Sequence, residues 1–423
     1  MARTNNLHKR AGTVYIAVLG TSLIVAMLSL AVMHGVRINL RRASSVPDRE
    51  RAQLLAEAAI EHAVATLQNE SSWRSTYLSG VSYPTGSIAM NGGSFSWKLI
   101  DGDGNLNDDT SDCVALEGTG IYGRATHTAQ VTLQPTDAGL SALEAAFHCA
   151  GNIDLGLTVD MQVETFVSSN ANIAANGFGE SVVGSAEAAG AINGNITGSE
   201  TPGIAPRQMP GATVFDYYKH VGTYIDLALL AQGNRYQLDD AVLSPNNNPW
   251  GPTNPEGVYV IDCQGEEIHV EELRVLGTLC LLNPGPDSRL EKSLFFEPAI
   301  SNFPSLLVEG SIEVRFDSDK ELDEKSVNFN PIGSPYAGVE DNDTSDEYPC
   351  EIRGLVYVSG TLDFEADNKD SNFDGVVICG AVAANSDCSF DYDSIFLQYP
   401  PPGFGSGSTM AIIPGSYTRV SSQ

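Results

Sequence analysis

The sequence predicts an α+β chain: a long N-terminal transmembrane helix, a small antiparallel β region, then a mainly-β body that reads as a right-handed parallel β-helix. Three observations predict it. Ala11–Val36 is a run of 26 residues without formal charge. Pro47–Glu70 continues it with helix formers that keep one apolar stripe. From Gly151 onward, apolar runs of three to five residues alternate with Gly and Asn corners.

As a helix, Ala11–Val36 reaches roughly 39 Å, more than the ~30 Å of a bilayer's hydrocarbon core. A basic leader ending at Lys9-Arg10 precedes it, and Arg37, Arg41 and Arg42 follow. The run exceeds the apolar core of a cleaved secretory signal, and the arginines occupy the place of a small-x-small cleavage site. It therefore reads as a single-pass membrane anchor. Basic residues flank both sides, so charge alone does not orient it. Because a long downstream region translocates despite local positive charge, the N-terminus is placed in the cytoplasm and the body outside it.

Charge divides the same way. The 423 residues carry a net charge of −30, yet residues 1–51 hold eight Lys/Arg against two Asp/Glu. Everything beyond Arg51 is strongly acidic and would repel phosphate backbones, which excludes nucleic acid as a partner. The seven cysteines form no CxxC pair and have no His at ligand spacing, which argues against zinc. Cys379 with Cys388 and Cys263 with Cys280 are the nearest pairs in sequence for a disulfide outside the cytoplasm, and connectivity stays open.

In Pro47–Glu70, Leu55, Ala59, Ala63 and Leu67 recur at helical spacing, as do Ala52 and Ala56. Pro47 is either a kink or a fresh helix start. From Trp73 to Gln134 the pattern changes to strands, at Ser94–Ile100, Val114–Gly118 and Ala125–Leu133. Between the first two lies DGDGNLNDD, Asp101–Asp109. Asp101, Asp103, Asn105 and Asn107 alternate as the opening ligands of a calcium loop do, since Ca²⁺ takes six to eight oxygens. The twelve-residue loop is incomplete and no Glu closes it. An acidic β-turn built of Asp, Gly and Asn explains the same residues, and both readings stand.

Up to this point the residues resemble the type IV pilin superfamily, most closely PilX-type minor pilins and K-type pseudopilins of type II secretion. The resemblance covers residues 9–110. It rests on Lys9-Arg10-Ala11-Gly12, the uncharged helix after it, the R-x-x-x-L-x-E-A-A segment at Arg51–Ala59, and Asp101, Gly104, Leu106 and Asn107 after a strand. It implies a prepilin peptidase cutting after Gly12 to leave Thr13 as the new N-terminus. It also implies partners among other pilin or pseudopilin subunits and assembly-platform proteins. Ala17 stands where most pilins carry Glu at the fifth mature position, a departure that K-type subunits share.

Beyond Gln134-Pro135, Asp137–Phe147 reads as a short helix and Val214–Gln232 as an amphipathic one, with Phe215, Tyr218 and Tyr224 packed on the body. Ser305–Phe316, Leu355–Glu365 and Val376–Ala384 share one shape, with Gly310, Gly360 and Gly380 at equivalent corners. Ile261–Leu282 adds two strands around Gly277, and acidic Asp317–Asp346 reads as a loop on one face. Asn246–Pro255 is a loop whose Trp250 is either a cap or a contact for surface glycans. The organisation is thus a leader (1–12), the long helix (13–70) and the small domain (71–135). Two β-helical parts (136–255 and 256–402) and a tail (403–423) follow.

No HExxH, GxSxG or Walker-type loop occurs. Cys149, beside His148, reads as a buried small hydrophobe. A polysaccharide lyase needs a base, and only Arg353, Lys369 and Arg419 are basic after Ser326. The carboxylates Asp239-Asp240 and Asp363, Glu365, Asp367 are abundant without a motif. The expectation is a non-enzymatic filament component, with an adhesive or spacer surface on its acidic body. The rivals are a membrane-anchored adhesin without filament assembly and a tethered polysaccharide-active enzyme.

Overall fold

A computed structural model describes residues 8–70, 72–136, 138–232, 235–316, 321–365 and 371–420, with backbone alone at 8–13 and 38–45. Residues 1–7 of the leader, Asp137, Asp367 and Lys369 lie outside the described residues. A long N-terminal apolar helix is followed by a mostly-β body.

Helix α1 spans His8–Asn69 and runs through Pro47, so neither a break nor a fresh start occurs there. Val14–Arg37 has a mean hydropathy of 2.4, and none of it is buried. It is long and apolar enough to cross a membrane. Further along, Ala52, Leu55, Ala56, Ala59, Ile60, Ala63 and Leu67 are all buried. This stripe lies on an antiparallel sheet of β1 (Ser82–Met90), β2 (Gly93–Ile100), β3 (Val114–Tyr122) and β4 (Ala125–Pro135), in that order. Its core partners are Phe95, Trp97 and Leu99 of β2, with Val114 and Leu116 of β3. Small residues set the spacing between layers. A Cβ at Gly118 or Gly120 of β3 would collide with the Ala56 or Ala52 carbonyl oxygen, so glycine lets the helix approach closely.

The segment expected to be a tail does not hang free. Met410–Ile412 and Thr418–Val420 pair antiparallel with β4, Met410 is buried, and the Trp73 indole donates to Ser408 O at 2.7 Å. The open edge of β4 and the apolar Met410 and Ile413 account for the return. The body is therefore inserted between β4 and Met410–Ile412. Its entry and exit pair with each other, Ala138 with Ser406 and Gly139 with Gly405.

Within the body the main ladder is parallel, and many of its register steps lie near twenty residues. Tyr259 faces Leu279, Leu279 faces Leu306, Leu306 faces Val356 and Val356 faces Val377. The ladder then jumps in sequence: Val377 faces Phe147, Phe147 faces Val167 and Val167 faces Ala186. Strands such as VYVID and TLCLL are continuous apolar runs because both faces are covered. Tyr259, Ile261, Leu279 and Leu281 point into the main core. Val258, Val260, Cys280 and Leu282 point outward, under Phe215 and Tyr218 of the helix Val214–Val221.

The glycine corners stack. Gly360 N donates to Gly310 O at 2.7 Å, a Cβ at Gly380 would lie 3.0 Å from Gly360 O, and Gly151 N donates to Gly380 O at 3.0 Å. At another corner Asn172 Nδ2 donates to Asn152 Oδ1 at 3.1 Å, and Ala191 N donates to Asn172 Oδ1 at 2.9 Å.

Two segments expected to be helical differ from that expectation. Instead of a helix over 137–147, the chain forms a strand at Ala138–Gly139, a 3₁₀ turn at Ser141–Glu144 and a strand at Phe147–Cys149. The second helix stops at Val221, capped by Gly222. The β-branched and aromatic residues beyond it join the ladder, Thr223 against Tyr259 and Tyr224 against Val260. Phe215 and Tyr218 are buried as expected, whereas Tyr224 is 51 % exposed. Trp250 packs on the main core from its loop.

The acidic insertion lies against one face, as its described part shows. Phe329 and Tyr348 form a small core with Val242, Phe295 and Leu322. Arg274, fully buried, donates to the carbonyls of Phe329 (2.5 Å), Ser334 (2.8 Å) and Pro335 (2.6 Å).

Candidate functional site

The loop between β2 and β3 carries the chemistry that the sequence singled out. Leu106 anchors it, 3 % exposed in the small-domain core. Gly104 holds a φ of +91°, which a residue with a Cβ rarely adopts. The chain therefore folds back on itself, and its carboxylates converge.

Asp101 and Asp103 come together, and Asp108 joins them, their oxygens lying within 4.8 Å of one another. The two asparagines play a different part. Asn105 N donates to Asp101 Oδ2 at 3.1 Å and to Asp103 Oδ1 at 2.9 Å, while its own side-chain oxygen accepts from Asn107 N at 3.4 Å. Two members of the alternating set, Asp101 and Asp103, thus meet Asp108 in one carboxylate group. The signal for Asp108 was in the run, but a spacing of two residues passed over it.

Electrostatics express the crowding. Burial raises the Asp101 carboxyl above its ordinary value, and a hydrogen bond shared with Asp103 adds to the rise. That same bond, with the Asn105 N–H, lowers Asp103. Asp112 is raised to about 6 by burial and then by the charges of Asp109, Asp101 and Asp108. The nearby cation does not neutralise the group directly. Arg74 instead donates to the backbone oxygens of Leu106 (3.2 Å), Thr110 (3.4 Å) and Asp112 (2.9 Å), with its guanidinium over Trp73. Oxygen donors of this kind suit a hard divalent cation.

The loop also touches the body. Gln208 Nε2 donates to Thr110 Oγ1 at 3.1 Å, Thr213 Oγ1 to Cys113 Sγ at 3.0 Å, and Gly407 N to Thr110 O at 3.1 Å. It therefore sits at the junction of the small domain and the body.

Other candidates are dispersed. Glu321, Asp323 and Glu347 converge on the insertion, but all are exposed. Glu365 pairs with Arg315 at 3.6 Å. His148 and Cys149 occupy opposite faces of one strand: Cys149 lies in the main core, and His148 is buried with neither ring nitrogen partnered among the described residues. Gly12 and Thr13 fall within the backbone of α1, and Ala17 lies on its exposed apolar stretch.

No family model matches the sequence, and no curated protein matches it significantly. Among solved structures, the competence-associated pilin ComZ from Thermus thermophilus is similar. It has 13 % identity over 88 % of this chain and 97 % of that chain, with a TM-score of 0.34.

Proposed function

We propose that this chain is a minor pilin or pseudopilin-like subunit of a type IV pilus or type II secretion filament. One observation carries the reading. A single helix is bare over Val14–Arg37 and, further along, lays an alanine-rich stripe on the antiparallel sheet of β1 to β4 and the two returning strands. The bare part serves first as an inner-membrane anchor with a cytoplasmic N-terminus, then as the assembly handle. The partners are other pilin or pseudopilin subunits, the assembly platform and a prepilin peptidase acting between Gly12 and Thr13.

The body is a right-handed parallel β-helix displayed outside the cytoplasm as an adhesive or spacer surface, and the role is structural rather than catalytic. Parallel register in steps near twenty residues and the stacked Gly and Asn corners support this reading. Calcium bound by Asp101, Asp103 and Asp108 would tie down the loop that joins the small domain to the body.

Mass spectrometry of the chain from its native host tests the assignment. A mature N-terminus at Thr13, with co-purifying filament subunits, is expected. An intact leader with no filament partner would leave a plain membrane-anchored adhesin. Isothermal titration tests the loop: no heat from millimolar Ca²⁺, or equal heat from Asp101→Asn and the parent, rejects the metal.

A further inference from the structure

The body closes on itself along a seam between distant parts of the chain. The strand Phe147–Cys149 lies parallel to Val377–Cys379, and Cys149 stands directly opposite Cys379. Both side chains are fully buried in the same core. Cys149 Sγ lies 3.9 Å from the carbonyl oxygen of Gly380, the residue after Cys379. In-register residues on adjacent strands have Cα atoms about 4.8 Å apart, inside the range of roughly 4.4–6.8 Å that a disulfide spans.

The pairs nearest in sequence fare worse. Cys263 belongs to the main core and Cys280 to the outer one, so they face opposite sides of the wall. Cys388 stands opposite Ser371 and Met161, whereas Cys379 stands opposite Val358 and Cys149.

We propose that Cys149 and Cys379 form a disulfide that locks Phe147–Cys149 to Val377–Cys379 across this seam. This inference rests on the reading that the body folds outside the cytoplasm, where disulfides form and persist. The oxidant is a small-molecule or protein disulfide, and it acts before the seam buries both sulfurs. The Cys149 thiolate attacks one donor sulfur, giving a mixed disulfide and releasing the other donor sulfur as a thiolate. The Cys379 thiolate then attacks the Cys149 sulfur, forming the Cys149–Cys379 bond and releasing the second donor sulfur. Two electrons reduce the donor disulfide to two thiols, and the two protons lost by the protein are taken up there.

The full chain in detergent, unfolded and reduced, is refolded in a buffer of oxidised and reduced glutathione. It is then unfolded again with an alkylating agent, digested and read by mass spectrometry. A Cys149–Cys379 linked peptide in most molecules is expected. So is a thermal midpoint roughly 10 °C above that of protein refolded with reductant alone, given the long loop that the bond closes. The Cys149→Ala/Cys379→Ala double variant should lose this redox dependence, and Cys263→Ala should keep it. Folded molecules with both cysteines alkylated, or linked to other cysteines, overturn the proposal. A bond formed in the glutathione buffer, but absent from the chain recovered from its host, upholds the pairing and overturns the external placement of the body.

Discussion

Arg274 Nη2 lies 2.6 Å from Glu297 Oε1, with the guanidinium wholly buried between the wall of the body and the acidic insertion. Nη1 and Nη2 also hold three backbone carbonyls of that insertion, Nε is buried without a partner among the described residues, and the rings of Phe295, Tyr336 and Tyr348 lie around the group. Arg274→Met removes the charge and leaves buried carbonyls without donors, at a cost of about 3 kcal/mol. The loss should be local: faster proteolysis within 321–346, with the parallel ladder intact. Equal cleavage rates in variant and parent would count against this role.

His148 predicts an acid sensitivity. Burial, and then the nearby Arg207 charge, lower its pKa from 6.5 to about 3. The unfolded chain takes up a proton below about pH 6.5 that the folded chain refuses until about pH 3, so stability is lost as pH falls through that window. By pH 5 the loss is about 2 kcal/mol. Carboxyls raised by burial, such as Asp112, act in the opposite sense, so the informative quantity is a difference. Denaturant titrations at pH 7.5 and pH 5 should show His148→Leu losing less stability than the parent. Identical losses would remove His148 from the account.

At Gly120 the helix and sheet touch through backbone. Gly120→Val forces α1 away from β3 and should cost the small domain about 2 kcal/mol or more. Trp97 fluorescence during thermal unfolding reports it, since that ring lies in the same core. An unchanged midpoint would show that the layers have slack.

The returning strands predict a pair of opposite outcomes. Removing residues 405–423 strips β4 of two strands and uncovers the Met410 site, so the small domain should melt earlier. Excising 137–408 and closing Thr136 to Thr409 with Asn-Gly should leave it folded, because Pro135 already faces Met410 across an antiparallel pair. Circular dichroism on both variants decides between this architecture and a small domain made of residues 46–135 alone.

Much of this was legible because it is local. The stripe from Ala52 to Leu67 repeats within one helix, and the Gly310, Gly360 and Gly380 corners recur in similar contexts. Four features were hidden for physical reasons. Arg274 sits in the strand Ile268–Leu276 beside Glu271 and Glu272, and nothing local marks it as buried, because its carbonyl partners begin 55 residues onward. The carboxylate group at Asp101 depended on the backfold at Gly104 rather than on alternation. The meeting of Cys149 with Cys379 and the return of Met410 to β4 are pairings between distant segments, and no local periodicity encodes them.

The paired entry and exit at Ala138–Gly139 and Gly405–Ser406 have a mechanical meaning. A passenger on one linker can spin about it, and a pull on that passenger loads a single strand. Here two strands leave the same sheet side by side, so torque is resisted and tension is shared between them. A load on the body would reach the helix through the whole sheet.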